Sequence, residues 1–351
     1  MKLALITDQH IGARNSNSIF LDYYSKFYSK LFFPYLIENG IDTILNGGDT
    51  LDNRKTTNVL TMDRFHEMWI NPILKNKMTE HVILGNHTAY YKNTNSVNSL
   101  SPFYGKGNGL NLYQSTPEEL ELGGILWGMV PWITNDNSEE CFDFLKTTKA
   151  EIILGHFEIT GFAMDGGIKC ENGIGIGEFK RFKKVFSGHF HKKQTVANIS
   201  YLGSPYDMTY ADLGEQKGFH TFDTDTWDLN FVPNPDKKFF RLIYDDKENE
   251  YEFTDDEFSD MKDCFVRVVV QNKTKTMLYE SLLEHLERAG LYKVSIMDTT
   301  NVNGETATSD IDMSMSTIEI VNTYIEKIQD IQDRNMLKDI MAKLYTEAIN
   351  L

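Results

Sequence analysis

Five short polar segments, most of them placed directly after an apolar run of strand length, constrain the fold of this chain more than any other feature. Together they hold five of the nine histidines, each near a glycine or a strand end. A glycine lets the backbone turn sharply, so that a neighbouring side chain can point into a shared site. The segments are Asp8-Gln9-His10, Gly47-Gly48-Asp49, Gly85-Asn86-His87, Gly155-His156 and Gly188-His189-Phe190-His191.

The apolar runs that precede these segments alternate with helical patterns and predict an α/β fold. Strands are expected at Leu3–Thr7, Thr43–Leu45 and His81–Leu84, with helices over Phe20–Glu38 and Asn58–Ile70 between them. In such folds, ligands gather beyond the carboxyl ends of the strands. Later runs predict a second sheet, and therefore a two-sheet sandwich flanked by helices. These runs are Ile125–Val130, Glu151–Leu154, Lys184–Phe186, Ser200–Leu202, Gly218–Phe222 and Leu229–Val232.

A turn-rich stretch at residues 232–236 marks a predicted domain boundary. Beyond it, strands are expected at Phe239–Ile243, Phe265–Val270 and Lys293–Met297, with a helix over Thr276–Ala289. Apolar stripes at helical spacing near the end of the chain predict two short helices. The first stripe consists of Ile318, Val321, Ile325, Ile328 and Ile331, and the second of Leu337, Ile340, Met341, Leu344, Tyr345 and Ala348. The predicted parts are a main domain (1–235), a small α+β capping module (236–298), a polar linker (299–312) and a C-terminal helical hairpin (313–351).

The composition indicates a folded chain without membrane spans. Hydrophobic residues make up 41% of the sequence, enough for a core, and the formal net charge is −16. No apolar run reaches the roughly 18 residues that a spanning helix needs, and the N-terminal run is too short for a signal peptide. The three scattered cysteines form no Cys-x-x-Cys pair, so reduced thiols and a cytoplasmic location are expected.

The side chains of the five segments are suited to holding two divalent metal ions. Two such ions about 3.5–4 Å apart can clamp a phosphate and generate hydroxide near neutral pH. One carboxylate must bridge them, and Asp49 suits that position. Carboxylate, imidazole and amide ligands without thiolate favour Mn²⁺, Fe or Zn²⁺ over Ca²⁺ and Mg²⁺. Taken singly, each segment has an ordinary explanation, such as a turn or a core histidine; all five in this order favour the metal site.

The order of these motifs resembles the calcineurin-like metallophosphoesterase superfamily. Two further segments, Gly48–Arg54 and Tyr201–Tyr206, resemble the double-strand-break repair nucleases of the SbcD type, in particular the version found in tailed bacteriophages. The resemblance covers nearly the whole chain. It implies the calcineurin-like sandwich and a two-metal DNA exonuclease or endonuclease that works with an SbcC-class ATPase in recombination and repair.

The resemblance also implies a role for each residue of the motifs. His87 would stay off the metals and donate a proton to the leaving 3′ oxygen. Mn²⁺ is the expected metal, with Mg²⁺ as the alternative. One ion would be held by Asp8, His10, Asp49 and His191, and the other by Asp49, Asn86, His156 and His189.

Thr88 departs from the family pattern, in which an acid commonly follows the Gly-Asn-His segment. An acid at this place would orient His87 and raise its pKa, whereas a hydroxyl adds no charge. Asp52 or another acid could take over that function, or the activity could be lower than in other members of the family.

Basic residues around the Gly-His-Phe-His segment predict a rim that contacts DNA phosphates. Residues 179–193 contain no acid. A basic run is often only a solvated face, but beside a nuclease site we favour phosphate contacts. The candidate DNA-binding residues are Arg14, Arg54, Lys180, Arg181, Lys183, Lys184, Lys192 and Lys193.

Two apolar faces are candidates for assembly. The aromatic face of the first helix could form the contact of a homodimer, which the resemblance implies, or it could pack in the core. The C-terminal hairpin could dock on the coiled coil of the ATPase, or it could fold back on the catalytic domain. The aromatic face consists of Tyr23, Tyr24, Phe27, Leu31, Phe32 and Phe33.

Two other functions stay open from the sequence. A different calcineurin-like phosphodiesterase or phosphatase would use the same metals, but a small substrate needs neither the capping module nor the C-terminal helices. A non-catalytic scaffold on this fold would be expected to lose metal ligands, and here every expected ligand type is present.

Overall fold

Parallel strands that alternate with helices build the N-terminal part of the chain in the computed structural model. The structure describes residues 1–105, 107–164, 169–299, 318, 321–322, 325 and 333–350, with the backbone alone for residues 346–350. The chain divides into two units. Residues 1–206 and 215–236 form the first, and residues 207–214 and 237–351 form the second.

The first sheet lies in the first unit and consists of six strands. They are β1 (Lys2–Ile6), β2 (Thr43–Asn46), β3 (Thr79–Ile83), β4 (Leu110–Tyr113), β11 (Gly218–Asp223) and β12 (Leu229–Pro233). Their order is β12-β11-β1-β2-β3-β4, and β1 to β4 run parallel. The register places Ile6 beside Asn46 and Asn46 beside Val82. The loops that follow β1, β2 and β3 therefore leave the sheet at the same edge.

The second sheet also has six strands, four of which run parallel. The strands are β5 (Glu118–Leu122), β6 (Ile125–Val130), β7 (Ile152–His156), β8 (Lys184–Gly188), β9 (Gln194–Val196) and β10 (Ile199–Tyr201). Their order is β5-β6-β7-β8-β10-β9, with β5 and β9 antiparallel to their neighbours. The carboxyl ends of β7 and β8 are paired, since His156 lies beside Gly188.

A shared apolar core joins the two sheets. Leu5 and Leu45 from the first sheet pack in one cluster with Trp127, Leu154 and Phe186 from the second, and all five are fully or almost fully buried. The predicted two-sheet α/β sandwich is therefore confirmed.

The sequence assigned two strands to the wrong sheet. Gly218–Phe222 and Leu229–Val232 were expected in the second sheet, but β11 and β12 extend the first sheet, with β11 antiparallel to β1. The alternation of apolar residues identifies a strand. It carries no information about which edge the chain returns to, because that depends on pairing across more than 200 residues.

Helices cover the outer faces of the sandwich. The helix before β2 runs through a π-helical turn at Tyr28–Phe32, and the helix before β3 has a similar turn at His66–Ile70. Asn58 begins the second of these helices, because its side chain accepts a hydrogen bond from Leu60 N at 2.8 Å. The helical segments are α1 (Ser18–Phe27), α2 (Phe33–Glu38), α3 (Val59–Phe65), α4 (Asn71–Lys75) and α5 (Ser138–Thr147).

The aromatic face of the first helix is part of the core. Tyr24, Phe27 and Phe32 are fully or almost fully buried. The Tyr24 ring stacks on Tyr206 at 3.9 Å, and Phe32 meets Phe219 of β11 at 4.8 Å between ring centroids. Of the two explanations left open by the sequence, core packing is the one observed. This face is not available as a dimer contact.

The second unit contains a three-stranded parallel sheet with a helix packed on it. The elements are β13 (Phe239–Asp245), β14 (Phe265–Asn272), α6 (Thr276–Arg288) and β15 (Lys293–Asp298). The sheet order is β13-β14-β15, and the core includes Val266, Val268 and Leu282. The predicted strands and helix between residues 239 and 298 are confirmed.

A long helix, α7 (Arg334–Asn350), contains the second predicted C-terminal stripe. Of the first stripe, Ile318, Val321 and Ile325 are helical, and the rest of it lies outside the described residues, as does most of the predicted linker. Within the described residues, no helix combines the length and the apolar character that crossing a membrane requires.

Candidate metal centre

The carboxyl ends of five parallel strands meet around a buried cluster of polar side chains. Two residues follow β1, one follows β2, one follows β3, one ends β7 and two follow β8. The structure brings together all seven residues that were expected to bind metal. They are Asp8, His10, Asp49, Asn86, His156, His189 and His191.

One side of the cluster contains Asp8, His10 and His191, whose ligand atoms lie within 4.8 Å of one another. His10 Nε2 is 3.9 Å from Asp8 Oδ1 and 3.1 Å from His191 Nε2. The same His10 atom lies 3.8 Å from Asp49 Oδ2. These four side chains are the set expected to hold the first ion.

The other side of the cluster contains Asn86, His156 and His189 around Asp49. His156 Nε2 lies 3.2 Å from Asp49 Oδ2 and 3.0 Å from Asn86 Oδ1. His189 Nδ1 lies 3.2 Å from the same Asn86 atom. Asp49 Oδ2 therefore faces both groups, which is the position that a bridging carboxylate needs.

Hydrogen bonds fix the orientation of two of the histidines. His156 Nδ1 donates to the Gly47 carbonyl at 2.8 Å, and His10 Nδ1 donates to Asp52 Oδ1 at 3.0 Å. With the proton on Nδ1, the lone pair of each ring lies on Nε2 and points into the cluster. A metal-binding histidine is held in this way by a carbonyl or carboxylate behind it.

The electrostatics of the cluster favour a positive charge at its centre. Burial would lower the pKa of His10, but the hydrogen bond to Asp52 and the charges of Asp49 and Asp8 raise it to about 9. Burial would raise the pKa of Asp49, but the nearby histidines, above all His156, hold it well below its usual range. A buried group of acids that stabilises an imidazolium would equally stabilise a metal cation.

The Asn86 amide shows how well the donor set fits a cation. With its oxygen inward, Asn86 Oδ1 joins Asp49 Oδ2 and two histidine nitrogens, and all four atoms can present a lone pair to a cation. With its nitrogen inward, the amide donates to Asp49 Oδ2 at 3.1 Å, and its oxygen accepts from Arg54 Nη2 at 3.3 Å. A divalent ion would select the first orientation, because oxygen and not nitrogen is the ligand atom of an amide. The residues present therefore fit a metal ion.

Four residues of the cluster have left-handed backbone conformations. The φ angles are 51° for Asp8, 42° for His10, 51° for Asp49 and 90° for His189. Non-glycine residues rarely adopt this conformation, and those that do concentrate at functional sites. These conformations were not expected from the sequence, because positive φ angles are uncommon in any non-glycine residue and here depend on tertiary contacts.

His87 lies at the rim of the cluster, with a side-chain exposure of 37%. Its Nδ1 donates to the backbone carbonyl of Asp52 at 3.1 Å, and the Asp52 carboxylate lies 3.7 Å away. Its backbone N–H donates to Asp49 Oδ1 at 2.8 Å. Thr88 turns away and donates to the Gly85 carbonyl at 3.0 Å. Asp52 is therefore the acid next to His87, as one of the sequence alternatives proposed. Ligand atoms of His10, Asp49 and His87 also lie within 4.8 Å of one another.

Four of the predicted DNA-binding residues lie away from the cluster. Lys180, Arg181, Lys183 and Lys184 precede or begin β8, whose five residues span about 13 Å to its carboxyl end. The Arg181 guanidinium donates to backbone carbonyls at the end of α5, including that of Leu145 at 3.1 Å. Lys183 forms an ion pair with a glutamate. The structure does not bring this group to the metal centre.

The other four predicted DNA-binding residues follow metal-site segments directly. Arg54 is half-buried within reach of Asn86, and Arg14 lies in a left-handed turn four residues after His10. Lys192 forms an ion pair with Glu215 at 2.7 Å. The Lys193 ammonium lies 3.5 Å above the Phe231 ring.

Asn46 and Glu80 position the site, and neither was predicted from the sequence. Asn46 Oδ1 accepts from Gly48 N at 3.1 Å, which shapes the turn before Asp49, and its Nδ2 donates to Glu80 Oε1 at 2.8 Å. Burial raises the pKa of Glu80 to about 7. The available signal was a glutamate within an apolar strand and an asparagine ending another, because buried polar groups need partners.

The chain was compared with known proteins, and no family model matches it. Exonuclease subunit 1 of Enterobacteria phage T4 is 30% identical to it over 355 residues, which is 99% of this chain and 99% of that protein. This chain belongs to the exonuclease subunit 1 family. Family membership and the buried aspartate–histidine cluster confirm the predicted enzyme class, a metal-dependent phosphodiesterase.

Two solved structures are more distant from this member of the exonuclease subunit 1 family. A novel archaeal phosphodiesterase is 10% identical, with a TM-score of 0.33 over 67% of this chain and 100% of its own. GAP50, described as the anchor in the inner membrane complex of Plasmodium, is 11% identical, with a TM-score of 0.41 over 68% and 90%. Similarities at this level carry no argument about the family.

Gly85→Ala tests the dependence of the cluster on close backbone packing. A Cβ at this position would lie 2.2 Å from Asp49 Oδ1 and 2.5 Å from Asp49 N, so Asp49 would have to move. We expect the affinity for Mn²⁺, measured by isothermal titration calorimetry, to fall roughly tenfold or more.

Gly175→Ala is the matched control for this experiment. Its Cβ would meet nothing within 4 Å, and its φ of −66° suits alanine. Its Mn²⁺ affinity should equal that of the wild type. Equal Mn²⁺ affinities for the two variants would contradict the dependence of the site on the position of Asp49.

Proposed function

We propose that this chain is the nuclease subunit of an SbcD-type complex and hydrolyses DNA phosphodiesters, as exonuclease and endonuclease, with two divalent metal ions. The observation that carries the proposal is the single atom Asp49 Oδ2, which faces two groups of ligand side chains. A relative named as an exonuclease subunit, aligned over almost the full length of both proteins, supports DNA as the substrate.

Mn²⁺ is the metal we propose, since carboxylate, amide and imidazole ligands without sulfur favour Mn²⁺, Fe or Zn²⁺. Mg²⁺ is the alternative that the resemblance implies. When bound, the pair of ions supplies positive charge to the phosphate and lowers the pKa of water. Asp8, His10, Asp49 and His191 would hold one ion, and Asp49, Asn86, His156 and His189 the other.

His87 is the residue that we propose as the general acid. Because its Nδ1 is committed to the Asp52 carbonyl, its Nε2 is the atom that can hold a proton for transfer. Its position at the rim of the cluster gives the leaving 3′ oxygen access to that proton. The nearby Asp52 carboxylate would stabilise the protonated ring.

Arg54 is the basic residue best placed to bind the phosphate that is cleaved. Its guanidinium lies beside the side chain of Asn86 at the edge of the cluster, and it donates to the Asn86 oxygen only when the amide nitrogen points inward. With the oxygen turned toward a metal ion, the guanidinium is left to bind another oxygen. Burial lowers the pKa of Arg54, whereas the negative charge of Asp49 raises it through an electrostatic interaction. A guanidinium can bind two phosphate oxygens at once. Arg14, Lys192 and Lys193 could extend the DNA contact, since each follows a metal-site segment.

We propose α7 as the docking element for an SbcC-class ATPase. Met336, Ile340 and Leu344 are 62%, 42% and 50% exposed, and their four-residue spacing places them on one face of the helix. An exposed apolar stripe on a helix is suited to another helix or an apolar groove. The name of the relative, a subunit, supports the existence of a partner.

The assembly and its location are proposed on the resemblance. The complex would act in recombination and double-strand-break repair in the cytoplasm of an infected bacterium. The nuclease subunit would form a homodimer, through a surface other than the buried aromatic face of the first helix.

His87→Ala tests the proposed chemistry on linear duplex DNA. Loss of the proton donor should lower the rate of Mn²⁺-dependent cleavage by roughly 10²–10⁴-fold. The amount of Mn²⁺ bound should not change. The exposed His66, on the helix before β3, provides the control variant His66→Ala, which should cleave at the wild-type rate. Cleavage at the wild-type rate by His87→Ala would remove His87 from the mechanism. The nuclease function itself would be refuted if the wild-type protein left DNA intact in the presence of Mn²⁺, both with and without the ATPase and ATP.

Substitution of the apolar stripe tests the docking element. Ile340→Ser combined with Leu344→Ser should abolish co-purification with the ATPase, because the stripe loses its apolar surface, while metal-dependent cleavage by the subunit alone persists. Asn335→Ser combined with Asp339→Ser changes exposed polar residues on the same helix and should leave co-purification intact. Undiminished affinity of the Ile340 and Leu344 variant for the ATPase would show that α7 is not the docking element.

A further inference from the structure

The loop that follows His87 carries two adjacent tyrosines whose rings face solvent. Tyr90 is 39% exposed and Tyr91 is 49% exposed. Their ring centroids lie 4.7 Å apart with an interplanar angle of 77°. The pair therefore presents two aromatic surfaces in different orientations at one place.

Backbone hydrogen bonds hold this loop in a defined shape. Ser99 N donates to the Thr88 carbonyl at 3.0 Å, and Tyr90 N donates to the Val97 carbonyl at 2.9 Å. The Thr88 hydroxyl in turn donates to the Gly85 carbonyl at 3.0 Å. The two tyrosines therefore project from a hairpin-like loop whose base is the Gly-Asn-His segment of the metal centre.

A second connection ties the loop to the other side of the cluster. The buried Asn95 donates through Nδ2 to the Trp132 carbonyl at 2.8 Å. The Trp132 ring lies 5.1 Å from the His189 ring. The loop is thus fixed at its base, next to His87, and again at Asn95, so the fold sets its position relative to the metal centre.

The stretch of chain that includes the two tyrosines is unusually poor in acidic residues for this protein. Residues 81–117 contain no aspartate or glutamate, although 51 acids in 351 residues would give about five in a stretch of 37. Acids near the path of a nucleic acid would repel its phosphates. The stretch that carries the tyrosines therefore contributes no acid that would repel a phosphate backbone, and the exposed Asp136 reaches it from another part of the chain, through a backbone hydrogen bond to the Asn93 carbonyl at 3.2 Å.

We propose that Tyr90 and Tyr91 form a stacking platform for unpaired bases of the strand that is cleaved at the metal centre. This inference rests on the proposed nuclease function and adds to it the state of the substrate, a single-stranded end. Stacking on tyrosine suits any base, since every base has a π face, and it requires bases that are not paired in a duplex.

The test compares cleavage of two single-stranded oligonucleotides of equal length, one made of thymidines and one with abasic nucleotides around the scissile bonds. The measured quantity is the ratio of the two values of kcat/KM. In the wild type the thymidine strand should have a kcat/KM roughly tenfold or more above that of the abasic strand. Stacking of one base on an aromatic ring strengthens binding by about that factor.

The variants separate stacking from other functions of the loop. Tyr90→Ala with Tyr91→Ala should bring the ratio close to one, whereas Tyr90→Phe with Tyr91→Phe should keep the wild-type ratio, because the rings remain. Tyr292, which is 43% exposed in the second unit, provides the control Tyr292→Ala, which should also keep the wild-type ratio. Equal Mn²⁺ binding by all variants establishes that the metal centre is intact.

The outcomes distinguish the platform from the nuclease function. A wild-type ratio in the alanine double variant would refute the platform and leave the nuclease function in place. If the alanine double variant lost kcat/KM by the same factor on the thymidine strand and on the abasic strand, the platform would also be refuted. The tyrosines would then act only through the shape of the loop. A wild type that cleaves neither strand nor duplex DNA would refute the nuclease function, and the platform with it.

Discussion

The position of the Asp49 carboxylate is the constraint on which the rest of the site depends. One oxygen is fixed by the backbone N–H of His87 at 2.8 Å, which leaves the other to face both groups of ligands. Its own backbone carbonyl accepts from His10 N at 2.9 Å, so the loops after β1 and β2 are joined directly. The register of β1, β2 and β3, and the absence of a Cβ at Gly85, make this approach geometrically feasible.

The many buried ionisable groups of the site need hydrogen-bond and charge partners, and the structure provides these partners in successive shells around the cluster. Asp52 and the Gly47 carbonyl accept hydrogen bonds from the outer nitrogens of two histidines, so that the inner nitrogens can act as ligands. Behind them, Glu80 orients Asn46, which shapes the turn before Asp49. Buried charges without partners are strongly unfavourable, so each shell makes the next one feasible. The ligand atoms of the aspartates and histidines that point into the cluster are therefore able to bind cations.

The motifs allowed much of this site to be predicted, because polar residues at the carboxyl ends of parallel strands converge in any sandwich of this type. The seven candidate ligand residues and His87 were predicted in this way together with the family resemblance, and the structure brings them together. The sheet membership of β11 and β12 was not predictable, since it depends on pairing between distant parts of the chain. The helix-end contacts of Arg181 were also hidden, because a basic run has the same sequence pattern whether it binds phosphates or backbone carbonyls. The left-handed backbones of His10 and His189 are imposed by tertiary structure against local preference.

Titration of Mn²⁺ into Asp49→Asn and Asp8→Asn, followed by isothermal titration calorimetry and metal analysis, tests the shared carboxylate most directly. The wild type should bind two ions per chain. Asp49→Asn should weaken both sites because the bridging oxygen loses its charge, whereas Asp8→Asn should weaken one site and leave the other near its wild-type affinity. A wild type that binds fewer than two ions at saturating Mn²⁺, or an Asp49→Asn variant that loses only one site, would contradict the account.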